Sequence, residues 1–172
     1  MALATVLVYL LTYLLNGWLF GRLEFATGIN WIYLPAGVRL LAVLLCGTAG
    51  VLGLLLASSL VCFLWLFPYD VTRALAGGIA AAAAPWLVNL CDRRVFGLRP
   101  SLSNLSSQRL LWNILAFSLA GPLLHHLWYL VHGDAASWGS LFAMFWGDLT
   151  GTILVIYAVK ALVSLMPRAP RA

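Results

Sequence analysis

One acidic side chain lies deep inside an apolar stretch of this chain. Asp148 is in a Trp-Gly-Asp-Leu-Thr-Gly segment, about ten residues into an apolar run from residue 138 to residue 165. A carboxylate near the centre of a bilayer costs roughly 2.5 kcal/mol or more, so it is retained with a partner, a water-filled cavity or a function. Asp148 is therefore the first candidate for a ligand or proton site.

Two histidines on the preceding apolar segment could approach this carboxylate. At 1.5 Å per residue, His125 and His126 would lie about 8–9 Å below the outer surface and Asp148 about 15 Å below it. Consecutive helix positions point about 100° apart, so one of the two can face Asp148, and we favour His125. Imidazole titrates near neutral pH without any perturbation, which suits a proton site.

Three more residues complete the candidate site, namely Arg39, Trp146 and Asn30. We expect an outward-facing polar pocket around Asp148. A structural interpretation stays open, in which Asp148 bonds backbone N–H groups near Gly47 or before Pro35 and so clamps a broken helix. The histidines would then be interfacial anchors, and Arg39 would extend to a membrane surface.

No catalytic or metal-binding set is visible in the sequence. No serine has a nucleophile-elbow context, and no glycine-rich phosphate loop is present. The three cysteines, Cys46, Cys62 and Cys91, lack metal-ligand spacing, and an odd count argues against a disulfide framework. We expect buried thiols, no cofactor and no enzymatic activity.

The composition excludes an ordinary soluble domain. Of 172 residues, 63% are hydrophobic and 9% are charged, and the mean hydropathy is +0.98. Soluble domains carry about 25% charged residues. We therefore expect a single integral membrane domain over residues 1–172, with the lipid bilayer as its first partner. The net charge of +5 indicates cytoplasmic loops rather than nucleic-acid binding.

The apolar pattern predicts an all-α, polytopic transmembrane bundle of about six helices, one of them short or broken. Four spans are predicted at residues 3–20, 71–90, 110–131 and 138–165. Residues 37–67 form the remaining apolar stretch, which we expect to fold at Gly47 and Gly50 into a short helix over 37–46 and a second helix. A five-helix alternative treats residues 37–67 as one tilted span.

Small residues predict close helix packing at two places. Gly147 and Gly151 form a small-x-x-x-small pair on the last span. The alanine- and glycine-rich segment 74–84 could pack within the bundle or dock a partner.

Basic residues set the expected orientation. Arginines cluster in the 92–109 loop, and the 166–172 tail carries two more, so both are predicted to be cytoplasmic in a bacterial inner membrane. Six helices would place both termini inside, whereas five would place the N-terminus outside.

Two segments resemble the MASE1 family of bacterial integral membrane sensory domains. Residues 31–47, Trp-Ile-Tyr-Leu-Pro-Ala-Gly followed by a run ending in Leu-Leu-Cys-Gly, are similar to that family's Trp-x-Pro-x-Gly helix. Residues 145–151, Phe-Trp-Gly-Asp-Leu-Thr-Gly, resemble its Trp-x-Gly-Asp-x-x-Gly motif. The likeness covers residues 30–165, although this chain is shorter than those domains.

The resemblance implies a sensor that perceives a signal in or outside the membrane and passes it on. Nothing after residue 165 resembles a kinase or a cyclase, so this version would act through a separate signalling protein. Another class is a small-molecule transport component, because six unequal hydrophobic helices also look like the substrate-binding subunits of energy-coupling-factor vitamin transporters. A purely structural or assembly factor is the third possibility.

Overall fold

The chain is almost entirely helical in the computed structural model, which describes residues 1–132 and 137–165. The predicted all-α helical bundle is confirmed, with the addition of a small hairpin between the first two helices. The elements in chain order are α1 (Ala2–Phe20), β1 (Glu24–Ala26), β2 (Ile29–Asn30), α2 (Leu34–Cys46), α3 (Thr48–Val61), α4 (Val71–Arg94), α5 (Ser107–His132) and α6 (Trp138–Leu165). A 3-10 turn follows α1, and a π-helical turn, Cys62–Leu66, extends α3.

The described residues contain five helical stretches that are long and apolar enough to cross a membrane, not six. The difference arises because Leu34–Leu66, which holds both α2 and α3, is one of the five. The 13 residues of α2 would reach only about 20 Å at 1.5 Å per residue, short of a hydrocarbon core of about 30 Å. The predicted short helix is therefore half of a folded unit rather than a sixth full span.

The chain reverses direction at Gly47. This residue has a φ of +55°, a conformation that L side chains rarely adopt. Just beyond the turn, a Cβ added at Gly50 would overlap the carbonyl oxygen of Ala42. The two glycines therefore allow α3 to fold back with its backbone directly against α2.

Contacts with α1 give the directions of these helices. Near the end of α1, Asn16 Oδ1 accepts a hydrogen bond of 2.8 Å from the backbone N–H of Leu34, where α2 begins. Near the start of α1, Thr5 lies against Gly53 of α3. Thus α1 runs antiparallel to α2 and parallel to α3, and the N-terminus lies at the same end of the bundle as the Gly47 turn.

The bundle has two chemically different ends. The basic end, as we call it, holds the N-terminus, the Gly47 turn, residues 95–106 and the last turns of α6, which share grooves and apolar clusters. Four arginines are at this end, Arg93, Arg94, Arg99 and Arg109. The opposite end, which we call the hairpin end, carries β1, β2, the turn after Leu66 and the start of α6.

The predicted cytoplasmic loop over residues 92–109 is shorter in the structure. α4 continues to Arg94 and α5 begins at Ser107, which leaves residues 95–106 as the connection. Leu98 of this connection is buried, and two further leucines pack against the same core cluster. The connection is shorter because both helices extend into the predicted loop, and its leucines cover the end of the bundle. The predicted tail, residues 166–172, lies outside the described residues.

Two predictions concern the small residues of α4 and the burial of the cysteines, and the second is corrected. The small-residue surface of residues 74–84 is largely buried against α3, where Ser58 Oγ donates to the carbonyl oxygen of Gly78 at 3.0 Å. Of the two predicted roles, packing within the bundle is therefore the one that the buried small residues of this segment have. Of the three thiols, Cys62 is buried and Cys46 is partly buried, whereas Cys91 is exposed.

The backbone of α6 is in direct contact with the segment before α2. A Cβ added at Gly147 would overlap the carbonyl oxygen of Asn30, and one added at Gly151 would overlap that of Tyr33. The carbonyl oxygen of Gly147 also accepts a 3.1 Å hydrogen bond from the backbone N–H of Tyr33. The predicted glycine pair therefore receives a backbone segment rather than another helix.

Gly151→Ala should destabilise the bundle by about 1–3 kcal/mol, because the added methyl group overpacks a backbone contact. Gly17→Ala is the matched control, since a Cβ there meets nothing within 4 Å and alanine favours a helix. Thermal unfolding in detergent, followed by circular dichroism, measures both. Equal melting temperatures for Gly151→Ala and the unmodified protein would contradict this packing.

The fold also predicts that Leu3 and Tyr69 lie on opposite sides of the membrane. Tyr69 is 99% exposed at the hairpin end. In a protein without native cysteines, one of Tyr69→Cys and Leu3→Cys should react with a membrane-impermeant maleimide added outside intact cells, and the other only after lysis; the positive-inside rule predicts that Tyr69→Cys is the first. Labelling of both positions from the same side would contradict the reversal at Gly47.

Candidate functional site

A small polar cavity lies inside the bundle, directly beneath the hairpin. Its volume is about 50 Å³, and residues 27–30 of the hairpin form part of its wall. A water molecule needs roughly 10–15 Å³ of such a volume, so the cavity has room for a few waters. Polar side chains that line it come from five helices and the segment before α2, among them Tyr9, Tyr33, Arg39, Ser58, His125 and Asp148.

Asp148 is 6% exposed and lines this cavity. Within residues 1–132 and 137–165, no protein group hydrogen-bonds its carboxylate and no basic nitrogen lies within 4.0 Å of it. Its Oδ2 atom lies 2.9 Å from where a Cβ at Gly121 would be. Glycine at this one position of α5 therefore leaves room for the carboxylate. A buried carboxylate without a protein partner needs water or a proton, and the cavity can supply either.

Arg39 points into the same cavity rather than to a membrane surface. Its Nη2 donates to the hydroxyl oxygens of Tyr9 and Tyr33, at 3.2 and 3.3 Å. The two hydroxyl groups are 3.3 Å apart, and the guanidinium lies 5.0 Å from the centre of the Tyr33 ring. Arg39 Nε is buried and has no hydrogen-bond partner among the described residues. The guanidinium is therefore held by the tyrosines and faces Asp148 across the cavity without forming an ion pair.

The two histidines point in different directions, as adjacent helix positions require. His125 lines the cavity, and its Nδ1 lies 2.9 Å from the carbonyl oxygen of Gly121. His126 instead faces the start of α6, where its Nε2 lies 3.1 Å from Ser140 Oγ, while its Nδ1 lies 3.0 Å from the carbonyl oxygen of Pro122. His125 thus joins Asp148, whereas His126 links α5 to α6 outside the cavity.

The other predicted site residues divide in the same way. Asn30 lines the cavity. Trp146 is 45% exposed on the outer face of α6 and stacks on Phe142, so it is not part of the site. Two helix positions turn the side chain about 200° around the axis, which places Trp146 and Asp148 on opposite faces.

The clamp interpretation of Asp148 finds no matching contact in the described residues. The backbone N–H groups before α2 already have other acceptors, since Asn16 bonds Leu34 and the carbonyl of Gly147 bonds Tyr33. Gly47 lies at the opposite end of the bundle from the cavity.

A second buried carboxylate, which the sequence did not distinguish from an ordinary loop residue, lies at the basic end. Asp92 on α4 forms an ion pair with Arg109 on α5, at 2.6 Å between Oδ1 and Nη2. Its Oδ2 accepts a 2.7 Å hydrogen bond from Asn113 Nδ2, and Arg109 also donates to the carbonyl oxygen of Phe96. Both carboxylate oxygens of Asp92 therefore have protein partners, which is typical of a structural ion-pair cluster and contrasts with Asp148.

Comparisons with known proteins add no further assignment. No protein-family model matches the chain, and no curated protein and no solved structure gives a significant match. The described residues also contain no group of three His, Cys, Asp or Glu side chains placed to hold a metal ion. The likeness to MASE1 sensory domains therefore rests on the two sequence motifs.

Arg109→Gln should destabilise the protein by about 3 kcal/mol, at the lower end of the range for breaking a buried ion pair, because Arg109 is 19% exposed. The variant leaves the buried Asp92 carboxylate without its cation. Arg94→Gln, which removes an exposed arginine from the same end, is the matched control and should be neutral. Thermal unfolding in detergent distinguishes the two, and a neutral Arg109→Gln would contradict the structural role of this ion-pair cluster.

Proposed function

We propose that this protein is a non-enzymatic sensory or signal-coupling module of a bacterial inner membrane, and that the Asp148 cavity is its proton or small-ligand site. The observation that carries the proposal is a buried carboxylate that has no partner among the residues that the structure describes and that faces a cavity with room for water. His125 and Arg39 line the same cavity and supply a titratable group and a fixed positive charge. The likeness of residues 31–47 and 145–151 to MASE1 domains supports the same class of function.

The cavity volume favours a proton over a larger ligand. Pockets for drug-sized molecules typically have about 300–1,000 Å³, whereas this cavity has about 50 Å³. A vitamin-sized substrate would require the helices to separate, which weakens the alternative of a transport substrate-binding component. A proton needs only a titratable group and a few waters.

Protonation would change the force between α2 and α6. Arg39 and Asp148 carry opposite charges on these two helices, and charges attract more strongly in a protein interior than in water. A proton on Asp148 removes this attraction, so the two helices and the adjoining α5 would pack less tightly. α5 extends from His125 beside the cavity to Arg109 at the basic end. A change in the packing of α5 at the cavity would therefore also alter the basic end, where a separate partner would bind.

The positive-inside rule would place the basic end, and with it the C-terminus, in the cytoplasm. The cavity would then lie in the outer half of the membrane under the hairpin, where protons from the periplasm reach it. A partner would bind at the cytoplasmic side.

Infrared spectroscopy of the purified protein tests the proton site directly. We expect a protonated-carboxyl band that changes with pH and is absent in Asp148→Asn. Asp70→Asn is the control, because asparagine also caps a helix and the Asp70 carboxyl lies outside the cavity. Hydrogen bonds from the backbone N–H of Arg73 and from Thr72 lower the pKa of Asp70, so it titrates below the range of interest. A band unchanged in Asp148→Asn would contradict the proposal.

The proposed coupling between the proton site and a separate protein is tested by identifying that protein. Cross-linking in cells should capture a signalling protein at the basic end, with a yield that depends on external pH in the unmodified protein. Asp148→Asn should abolish this pH dependence without lowering the amount of folded protein, whereas Asp70→Asn should retain it. Capture of an ATPase together with a retained small molecule would favour the transport alternative.

A further inference from the structure

A long groove on the outer surface of the bundle lies between α4 and α5, at the basic end. Its volume is about 790 Å³, which is within the roughly 300–1,000 Å³ typical of small-molecule pockets. Apart from Asp92 and Asn113, which are hydrogen-bonded to each other, its inner part is apolar, and its outer part ends at polar side chains, Ser106, Gln108 and Arg109. The groove therefore matches the polarity of an amphiphilic molecule, with one polar end and one apolar end.

The length of this α4–α5 groove corresponds to one leaflet. It extends from Ser106, just before α5, along that helix to Ala116, about 15 Å at 1.5 Å per residue. A hydrocarbon core of about 30 Å has two leaflets of this thickness. Leu87, Cys91 and Trp112 line the groove with side chains exposed on the membrane-facing surface. An acyl chain that enters from the basic end would be covered over the depth of its own leaflet.

The charge at the polar end selects the headgroup. The one acid of the groove, Asp92, is already neutralised by Arg109. Arg94 is exposed and lies seven residues after Leu87, which places it on the groove face of α4, two turns nearer the membrane surface. The rim is therefore positively charged, and basic pockets between transmembrane helices at the cytoplasmic side are typical sites for anionic lipid headgroups.

A partner helix fits this surface less well. Close packing of transmembrane helices uses small residues, especially glycine. The described lining of the α4–α5 groove contains no glycine and includes the bulky side chains of Phe96 and Trp112.

We propose that the α4–α5 groove binds one anionic membrane lipid, with an acyl chain along Leu87, Trp112 and Ala116 and the headgroup at Arg94 and Gln108. This lipid site does not depend on the proton site proposed above.

Cys91 provides a native reporter, because its thiol is exposed inside the groove. The purified full-length protein in a neutral detergent is labelled with a maleimide, and the modification of Cys91 is followed by peptide mass spectrometry. Phosphatidylglycerol and phosphatidylcholine with identical acyl chains are then added in parallel titrations. Buried Cys62 is the internal control for unfolding.

Phosphatidylglycerol should slow the labelling of Cys91 at a lower concentration than phosphatidylcholine does. Arg94→Gln should reduce this advantage by roughly fivefold, the factor for about 1 kcal/mol per basic residue near an anionic lipid. Arg22→Gln, an arginine at the hairpin end, should leave the advantage unchanged. Melting temperatures equal to that of the unmodified protein exclude a folding effect.

Three results would overturn the lipid site. Equal protection by the two lipids would disprove headgroup selection, and absence of protection by either would disprove lipid binding. If the protection of Cys91 increases with protein concentration and does not depend on lipid, the groove binds a second copy of the chain instead.

Discussion

The backbone contact between α6 and residues 30–34 is the constraint that arranges the polar interior. Gly147 and Gly151 have no side chain to hold the neighbouring segment away, so its carbonyl groups lie directly on the helix. Thr150 Oγ1 strengthens this contact by donating to the carbonyl oxygen of Trp31 at 3.1 Å. Because Asp148 follows Gly147, its carboxylate is brought under the hairpin, where Tyr33 and Arg39 also point. Any side chain at either glycine would separate these groups.

The two buried carboxylates, Asp92 and Asp148, are accommodated in the bundle in different ways. A charge removed from water must find partners, or its burial costs several kcal/mol. Asp92 has an arginine and an asparagine within hydrogen-bond distance, and the cluster joins α4 to α5. Asp148 has a cavity instead, with a guanidinium nearby but not in contact. A carboxylate whose two oxygens are bonded to neighbouring helices holds the structure in place, whereas one that faces a cavity with room for water can gain or lose a proton, and our functional proposal uses this difference.

The number of helices shows which features of the fold the apolar pattern of the sequence predicts and which it does not. Hydropathy alone predicts where the chain is inside the membrane, and five stretches of the described residues meet the length and composition needed to span it. The reversal at Gly47 depends on a single positive φ and on the close approach of Gly50 to Ala42. The Gly-Thr-Ala-Gly spacing indicates such a turn, but the antiparallel course of the two helices is seen only in tertiary contacts, those of Gly50 with Ala42 and of both helices with α1. That course also brings the N-terminus to the basic end.

The sequence by itself determined the class of the protein, the approximate spans and the unusual position of Asp148, because hydropathy and helix period are local properties. The same local rule, that adjacent helix positions diverge, predicted that one histidine of the pair would face the carboxylate. Only the tertiary structure decided which polar groups share the cavity. Tyr9 lies 139 residues before Asp148 in the sequence and carries no local signal of its hydroxyl contact with Arg39. The orientation of Trp146 away from the site and the pairing of Asp92 with Arg109 are likewise products of helix packing, which relates residues that are distant in sequence and close in space.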